Sequence, residues 1–261
     1  MPLPPSPVTE RPAARRPFVA LRGVGKTFER GTVALEALDL EVCEGEFVSL
    51  LGPSGCGKST ALRIVAGLST ASKGLVEWPD GAGKIGFVFQ EPTLMPWANI
   101  ASNVQLPLKL ANADEVTSGT AVRQSLDHVG LTDFADAFPR ELSGGMKMRA
   151  SIARALVTEP QLLLMDEPFA ALDEITRFKL NNDLLDLWQS QSWTVVFVTH
   201  SVYESVYLSQ RIVLMAARPG RVVADIAIPA PYPRDEAFRT SEPYNRLCRQ
   251  VSAELHRAIG A

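Results

Sequence analysis

The chain has 261 residues, of which 46% are hydrophobic and 21% are charged, a composition that supports a core and excludes a wholly disordered protein. Its 26 basic and 29 acidic residues give a net charge of −3 without a long basic run, which argues against a nucleic acid partner. Its three cysteines are too widely spaced for a disulfide framework or a zinc site, which favours a reducing, cytoplasmic environment.

The N-terminal residues 1–17 are predicted to form a disordered tail. Prolines recur through this segment, and each one fixes φ and removes a backbone hydrogen-bond donor. Short β-rich runs follow, and they lie at 18–21, 32–42 and 46–51. Their alternating and continuous apolar patterns predict an antiparallel layer that leads into one buried strand.

Helical and strand patterns then alternate along the chain, with one interruption. A helix at 58–68 and a strand at 84–89 predict a βαβ unit. The polar stretch that follows contains helical patterns near 100–110 and 119–129, so a helical subdomain at about 91–158 is expected to interrupt the sheet domain.

The α/β alternation resumes after this subdomain and predicts a mainly parallel sheet. The later elements are helices at 144–158 and 175–189 and strands at 161–166, 193–199, 211–215 and 222–228. The sheet domain is thus expected to span 18–228. A proline-rich linker and an amphipathic helix at 229–261 complete the chain.

One loop matches the phosphate-binding pattern GxxxxGK[ST] between an apolar strand and a helix. It consists of Gly52, Pro53, Ser54, Gly55, Cys56, Gly57, Lys58, Ser59 and Thr60. Its glycines allow successive N–H groups to face an anion at a helix N-terminus. Lys58 is expected to reach the β- and γ-phosphates of a nucleotide, and the Ser59 hydroxyl is expected to bind Mg²⁺. The alternative is a glycine-rich turn without a ligand.

A second strand ends in two adjacent carboxylates, Asp166 and Glu167, followed by Pro168. Bound Mg²⁺ would offset the repulsion between them. Asp166 is predicted to hold the metal, and Glu167 is predicted to orient or deprotonate water. Taken alone, the pair could equally be a solvated strand end, but the phosphate-binding loop upstream favours the catalytic interpretation.

The third motif is Leu142-Ser143-Gly144-Gly145-Met146 at the head of a helix. Ser143 is a plausible N-cap, and Gly144 and Gly145 allow a phosphate to approach the backbone. The segment nearly reproduces the LSGGQ signature of ABC ATPases, and the order of motifs from residue 18 to about 213 resembles that family. The resemblance implies a P-loop NTPase fold with an N-terminal antiparallel β layer, and it implies ATP hydrolysis.

The resemblance also implies roles for residues outside these motifs. Phe28 matches an aromatic side chain that stacks on adenine, and Gln90 matches the Q-loop glutamine that contacts Mg²⁺ and water. His200 matches the switch histidine that contacts the γ-phosphate, and residues 171–173 resemble the D-loop at the dimer interface. Without the resemblance, Phe28 could be a core residue and His200 a structural hydrogen-bonding residue.

The sequence departs from the family pattern at two positions. Met146 stands where the signature has glutamine, and Ser201 stands where aspartate commonly follows the switch histidine. Neither change affects Lys58, Glu167 or the other groups expected to carry the chemistry. An active ATPase is therefore expected, with an inactive pseudo-ATPase as the alternative.

Partners are also implied by the resemblance. The family works as a head-to-tail dimer, and a homodimer is expected here, with each ATP between the phosphate-binding loop of one subunit and the Ser-Gly-Gly segment of the other. Residues 91–97 and 100–110 resemble a groove for the coupling helix of a transmembrane permease, although their apolar side chains could equally pack internally. Residues 94–97, followed by Asn103 and Val104, and residues 217–221 resemble importer ATPases of the nitrate, sulfonate and taurine group. Such importers depend indirectly on a periplasmic or extracellular solute-binding protein.

The position of the chain in the cell follows from the same reasoning. No apolar run reaches the roughly 18 residues that span a bilayer, so a peripheral position at the cytoplasmic face of the inner (plasma) membrane is expected. A soluble ABC ATPase of DNA repair or translation would need a coiled-coil insertion or a second cassette, and a GTPase would need an N-K-x-D motif. The sequence contains none of these features, and the remaining alternative is a soluble ABC-type ATPase or nucleotide sensor that is not coupled to transport.

Overall fold

The computed structural model describes residues 16–191, 193–217 and 219–260, with side chains described up to residue 257. Most of the predicted disordered tail, residues 1–15, lies outside the described residues. Pro17, which the sequence analysis placed in that tail, is the first residue of a strand. The chain divides into two compact units.

The strands and helices carry the following names in chain order. The strands are β1 (Pro17–Thr27), β2 (Val33–Cys43), β3 (Phe47–Leu51), β4 (Lys73–Glu77), β5 (Ile85–Val88), β6 (Leu162–Asp166), β7 (Thr194–Thr199), β8 (Arg211–Ala216) and β9 (Arg221–Ala227). The helices are α1 (Lys58–Val65), α2 (Ile100–Leu110), α3 (Glu115–His128), α4 (Gly144–Leu156), α5 (Glu174–Gln191), α6 (Val202–Leu208), α7 (Glu236–Thr240) and α8 (Glu242–Gly260).

The first unit comprises Met1–Gly81 and Thr194–Ala261 and begins with the expected antiparallel layer. The strand order in this layer is β2-β1-β4, and β1 pairs with both neighbours in antiparallel orientation. Along β1 the buried side chains include Val19 and Leu21, which have no exposed surface. The third strand, β4, was not predicted because most of its side chains are exposed and its sequence has no apolar alternation.

The same unit contains four neighbouring strands in the order β7-β3-β8-β9. Strand β3 pairs in parallel with β7 and β8, and β9 is antiparallel to β8. Every residue of β3, β7 and β8 is buried, which is typical of strands covered on both faces. Leu51 pairs with Thr199, so the residues that follow, Gly52 and His200, lie at the same edge of the sheet.

The second unit, Ala82–Trp193, contains the parallel pair β5 and β6 together with helices α2 to α5. Each of the first three helices begins at a side chain that accepts a backbone hydrogen bond, as is usual for N-caps. These caps are Asn99 for α2, Asp114 for α3 and Ser143 for α4. The pairing of Val88 with Met165 fixes the register of the two strands.

The parallel pairs, the antiparallel layer and the helices agree with the predicted α/β class. Helices α6 and α7 were not predicted, and the predicted element ends differ from the structure by up to six residues, the largest difference being at the end of β1. The predicted boundaries of the helical subdomain and the C-terminal segment stay predictions. Within the described residues, no helix combines the length and the apolarity that crossing a membrane requires.

Candidate functional site

The phosphate-binding loop connects β3 to α1 and has a backbone that a side chain would obstruct. Gly57 precedes α1 with φ 90° and ψ 7°, and no side chain caps the helix there. A Cβ atom at Gly57 would lie 2.6 Å from Leu35 Cδ2 and 2.8 Å from Ala34 O. The left-handed backbone and this close packing both require glycine. The start of α1 therefore presents backbone N–H groups in the positive field of a helix N-terminus.

Lys58 extends across this loop and is 4% exposed. Its Nζ atom donates hydrogen bonds to Gly52 O at 2.8 Å and to Pro53 O at 3.1 Å. These carbonyl groups hold the ammonium group over the loop and partly compensate for its burial. A cation next to helix N–H groups is a donor set that fits a phosphate chain.

The remaining loop residues differ in exposure. Cys56 has no exposed surface, and its Sγ atom lies 3.8 Å from Lys58 Nζ. Burial raises the pKa of the Cys56 thiol, although the nearby Lys58 charge acts in the opposite direction. Pro53, Ser59 and Thr60 are half-buried, whereas Ser54 and Gly55 are exposed. The thiol is thus shielded, while the loop's outer residues remain accessible.

Phe28 follows β1 and is 46% exposed, so the alternative that it is a core residue is wrong. The Lys26 Nζ atom lies 5.4 Å from the centroid of the Phe28 ring. An exposed aromatic face beside a cation is available for stacking against a planar ligand. The exposure is therefore compatible with the adenine contact that the family resemblance implies.

His200 follows β7 and is exposed. Its neighbours in the chain, Thr199 and Ser201, form a ring of hydrogen bonds with Glu204. Ser201 accepts a hydrogen bond from Glu204 N at 3.3 Å and is the N-cap of α6. Thr199 Oγ1 donates to the buried Glu204 carboxylate at 2.5 Å and accepts from Ser201 N at 3.0 Å. Serine and aspartate are both good N-caps, which explains how Ser201 can replace the family's aspartate.

In the second unit, the ends of β5 and β6 bring three of the predicted residues together. The register that pairs Val88 with Met165 places Gln90 and the Asp166-Glu167 pair at the same edge. Asp166 is 6% exposed, whereas Glu167 is half-buried and Gln90 is exposed. Glu167 has φ 46°, a left-handed conformation that is rare for residues other than glycine. Strained backbone of this kind concentrates at functional sites.

The signature segment begins α4 in the same unit. Ser143 is exposed and accepts a hydrogen bond from Met146 N at 3.3 Å, and Gly144 is also exposed. Gly145 is buried, and a Cβ atom there would lie 2.6 Å from Thr176 Cγ2, so glycine is required by this contact. Met146 contributes its backbone N–H to the cap, and its own side chain is half-buried.

Asp173, which the resemblance places in a D-loop, lies directly before α5. Its Oδ1 atom accepts a hydrogen bond from Thr176 N at 3.0 Å. Hydrogen bonds from the backbone and the side chain of Thr176 lower the pKa of Asp173. The carboxylate thus fixes the start of the helix that packs against Gly145.

Sequence reasoning did not predict that Arg154 and Asn103 hold the segment after Gln90. Arg154 donates to Pro92 O and Thr93 O, both at 2.8 Å. Asn103 has no exposed surface, accepts from Met95 N at 2.7 Å and donates to Met95 O at 3.1 Å. The signal available in the sequence was a charged residue, Arg154, within the apolar run 152–156.

The segment 91–97, which Arg154 and Asn103 hold in place and which is called the braced segment below, carries an exposed tryptophan. Trp97 is 77% exposed and does not pack internally, whereas Ile100 and Val104 of the same predicted groove are buried, as the internal-packing alternative expects. Arg154 and Asn103 fix the backbone on the N-terminal side of Trp97 through the bonds described above. An exposed aromatic side chain next to a fixed backbone is typical of contact surfaces.

Comparisons with known proteins agree with this arrangement. A family model described as ABC transporter matches residues 35–170. An aliphatic sulfonates import ATP-binding protein of Pseudomonas savastanoi is 45% identical over 87% of this chain and 92% of its own length. An ABC transporter ATP-binding protein of Methanocaldococcus jannaschii is 47% identical over 77% of this chain and 78% of its own length.

The similarity extends to solved structures. An ATP-binding cassette, solved as a dimer in a post-hydrolysis state with ADP and Pi, matches with a TM-score of 0.72 and 34% identity. The match covers 81% of this chain and 99% of that chain. The predicted P-loop NTPase fold and ATPase activity are confirmed by these relationships. The chain belongs to the ABC transporter family and is an ATP-hydrolysing subunit of a transporter.

Proposed function

We propose that the chain is the ATP-binding and ATP-hydrolysing subunit of an importer, which drives uptake of a small solute through a separate permease. The observation that carries this proposal is the phosphate-binding loop, with Lys58 held over a helix N-terminus that no side chain caps. The similarity to an aliphatic sulfonates import protein supports the direction of transport and the solute class. Nitrate, taurine and related small solutes are the other candidate substrates, because they belong to the same importer group.

Nucleotide binding is assigned to the first unit. The N–H groups of the loop 52–60 and the Lys58 ammonium group bind the phosphates, because both place positive charge at one helix end. Phe28 stacks on the adenine through its exposed ring. The loop binds the substrate mainly through backbone groups, and this explains why small residues dominate it.

Mg²⁺ is assigned to oxygen ligands from three residues, Ser59, Asp166 and Gln90. A hydroxyl, a carboxylate and an amide oxygen suit this hard cation, which prefers oxygen ligands. When bound, the metal neutralises charge on the phosphates during transfer. The deep burial of Asp166, at 6% exposure, fits a carboxylate whose charge is balanced by a cation.

Hydrolysis is assigned to Glu167 and His200. Glu167 accepts a proton from the attacking water, and its left-handed backbone fixes the direction of its side chain. His200 hydrogen-bonds to the γ-phosphate. Ser143, Gly144 and Gly145 of a second copy of the chain complete each nucleotide site, so that ATP holds two subunits together and hydrolysis releases them.

The permease contact is assigned to the braced segment around Trp97. The exposed indole presents a large apolar surface that a coupling helix can cover. Because Arg154 links this segment to α4, which begins with Ser143, movement of the signature segment is transmitted to the permease. A permease contact of this kind would hold the subunit at the cytoplasmic face of the inner membrane, which is the location that we propose.

The proposal is tested by deleting the gene and measuring growth on single sulfur or nitrogen sources. We expect the deletion strain to lose growth on an alkanesulfonate or taurine as sole sulfur source, with sulfate growth unchanged. The wild-type gene should restore growth, and a gene carrying Lys58→Ala should not. Loss of growth on nitrate alone would transfer the assignment to nitrate. Unchanged growth of the deletion strain on all these sources would refute the proposed importer function.

A second experiment separates the importer from a soluble ATPase or a nucleotide sensor. Membranes from cells that express a tagged copy are washed and solubilised, and the tagged chain is purified with its bound partners. An importer subunit should co-purify with an integral membrane protein, and Trp97→Ala should weaken this association. A chain found only in the soluble fraction would favour the alternative.

A further inference from the structure

The C-terminal segment, residues 229–257, attaches to α6 through a buried arginine. Arg234 is 4% exposed. Its Nη1 atom donates to Val206 O at 2.8 Å, to Tyr207 O at 2.9 Å and to Ser209 O at 2.9 Å. The last carbonyl groups of a helix lack intrahelical partners and form the negative end of its dipole. Arg234 therefore caps the C-terminal end of α6.

Aromatic side chains enclose this contact. The Arg234 guanidinium carbon lies 4.1 Å from the centroid of the Tyr232 ring and 5.6 Å from that of Phe238. Tyr232 donates its hydroxyl hydrogen to Leu208 O at 2.8 Å, and Tyr207 donates to Arg234 O at 2.7 Å. Burial lowers the pKa of Arg234, while the ring faces and carbonyl groups compensate for its desolvation. A planar guanidinium group fits several carbonyl groups at once, which a lysine cannot do.

The opposite end of α6 is fixed as well, and it adjoins His200. Ser201 caps the helix, and the buried Glu204 carboxylate accepts from Thr199 Oγ1. His200 lies between Thr199 and Ser201 in the chain, so its backbone belongs to this hydrogen-bond ring. Helix α6 has 7 residues, which corresponds to a rigid rod about 10 Å long.

We propose that Arg234 is a positioning residue for ATP hydrolysis, which acts through α6 to hold His200 in its working orientation. This inference rests on the proposed role of His200 at the γ-phosphate. Loss of the Arg234 side chain leaves the carbonyl groups of Val206, Tyr207 and Ser209 without these bonds, while Tyr232 still holds Leu208 O. This loosens one end of the helix, and a rigid helix transmits the movement to its other end. Misplacement of a reacting group by a short distance lowers turnover more than substrate binding.

The test compares Arg234→Met with Arg246→Met, which removes an exposed arginine from α8 in the same C-terminal segment. We expect Arg234→Met to lower kcat about tenfold, which is less than the roughly 10²-fold loss that a 1 Å misplacement of a reacting group can cause. The KM for MgATP and the Kd for a fluorescent ATP analogue should be almost unchanged. Arg234→Lys should restore little of this loss. Arg246→Met should keep the wild-type kcat. A wild-type kcat in folded Arg234→Met would overturn the proposal.

A double-mutant cycle with His200→Ala then identifies the route. Single-turnover assays with labelled ATP can follow the slow variants. If Arg234 acts through His200, Arg234→Met should cause less than about a twofold further loss in the His200→Ala chain, because coupled residues are not additive. A full additional loss would overturn this inference and leave the role of His200 intact. A wild-type rate in His200→Ala alone would instead refute the role of His200.

A milder variant covers the case in which Arg234→Met does not fold. Tyr232→Phe removes only the hydroxyl group that donates to Leu208 O and leaves the ring beneath Arg234. We expect a two- to threefold lower kcat, an unchanged KM and a melting temperature close to that of the wild type. An unchanged kcat in Tyr232→Phe, together with an unfolded Arg234→Met, would reduce Arg234 to a structural residue and overturn the proposal.

Discussion

Glu167 combines a strained backbone with the proposed catalytic base, so stability and activity can be separated at one position. Its φ is 46°. A left-handed backbone costs an L-residue about 1–2 kcal/mol, which glycine avoids, but glycine loses about 0.5–1 kcal/mol more on folding through its greater chain entropy. The central values of these ranges predict that Glu167→Gly has a free energy of unfolding about 0.75 kcal/mol higher than Glu167→Gln. Urea denaturation followed by tryptophan fluorescence measures this value.

Activity should fall in both variants, whatever their difference in stability. Both Glu167→Gln and Glu167→Gly lack the base, and positioned base catalysis contributes about 10² to 10⁴ in rate. Phosphate release should fall by that factor, while Lys58 and the rest of the phosphate-binding loop still bind MgATP. Glu167→Gln should accumulate as an ATP-dependent dimer in light scattering, whereas Lys58→Ala should stay monomeric.

Glu159 provides a matched control for both effects. It has φ 51°, lies in an exposed turn after α4 and belongs to the same unit as Glu167. Glu159→Gly should be more stable than Glu159→Gln by a similar amount, and both should keep wild-type turnover. If only the Glu159 pair showed the difference in stability, the strain argument at Glu167 would fail. Wild-type turnover of Glu167→Gln in the assembled transporter would refute the assigned base.

The remaining predictions concern Met146, the cysteines and Asn181. Met146→Gln should keep phosphate release within about tenfold of wild type, because the cap on Ser143 uses the Met146 backbone; a larger loss would show that the side chain is required. Iodoacetamide should modify half-buried Cys43 before Cys56 in peptide mass spectrometry, since burial raises the pKa of the Cys56 thiol and the thiolate reacts. The folded state holds the Cys56 proton more tightly than the unfolded state, so the free energy of unfolding should fall as the pH rises above about 8.5, and Cys56→Ala should reduce this slope. Both amide atoms of Asn181 are buried without a hydrogen-bond partner in the described part of the chain, so Asn181→Leu should raise the free energy of unfolding by about 1–2 kcal/mol in thermal denaturation, and a decrease would indicate a bound water.

The phosphate-binding loop could be predicted from the sequence because its geometry is local. The residues from Gly52 to Lys58 form one short loop, and their spacing determines that the Lys58 ammonium group contacts the carbonyl groups at the start of that loop. The strand that ends at Asp166 is likewise a continuous buried run. Phe28 needed the structure, because an aromatic residue at a strand end fits both a core and an exposed position, and only its exposure of 46% excludes the core.

Helix α6 shows why other elements were missed. It is only 7 residues long, and all of its residues from Glu204 to Leu208 are buried, so no apolar stripe distinguishes it from a strand. Its ends are held by Ser201 on one side and by Arg234, more than 25 residues away, on the other. Neither the distance nor the pairing can be inferred from residue spacing.

The residues that sequence reasoning missed share one chemical property, which is that they bond to backbone carbonyl groups. Arg154 binds Pro92 O and Thr93 O, and Arg234 binds the carbonyl groups at the end of α6. Every residue has a backbone carbonyl group, so the residue types in a sequence do not show which carbonyl group an arginine contacts. A carboxylate partner in an ion pair, in contrast, must be aspartate or glutamate. Lys58 has the same kind of partners in Gly52 O and Pro53 O, yet it was found, because they precede it by only six and five residues in a recognisable motif. Whether such a contact can be predicted from the sequence therefore depends on the separation of the two partners along the chain. When the partners are distant, the remaining sign of a carbonyl contact is a charged residue inside an apolar run.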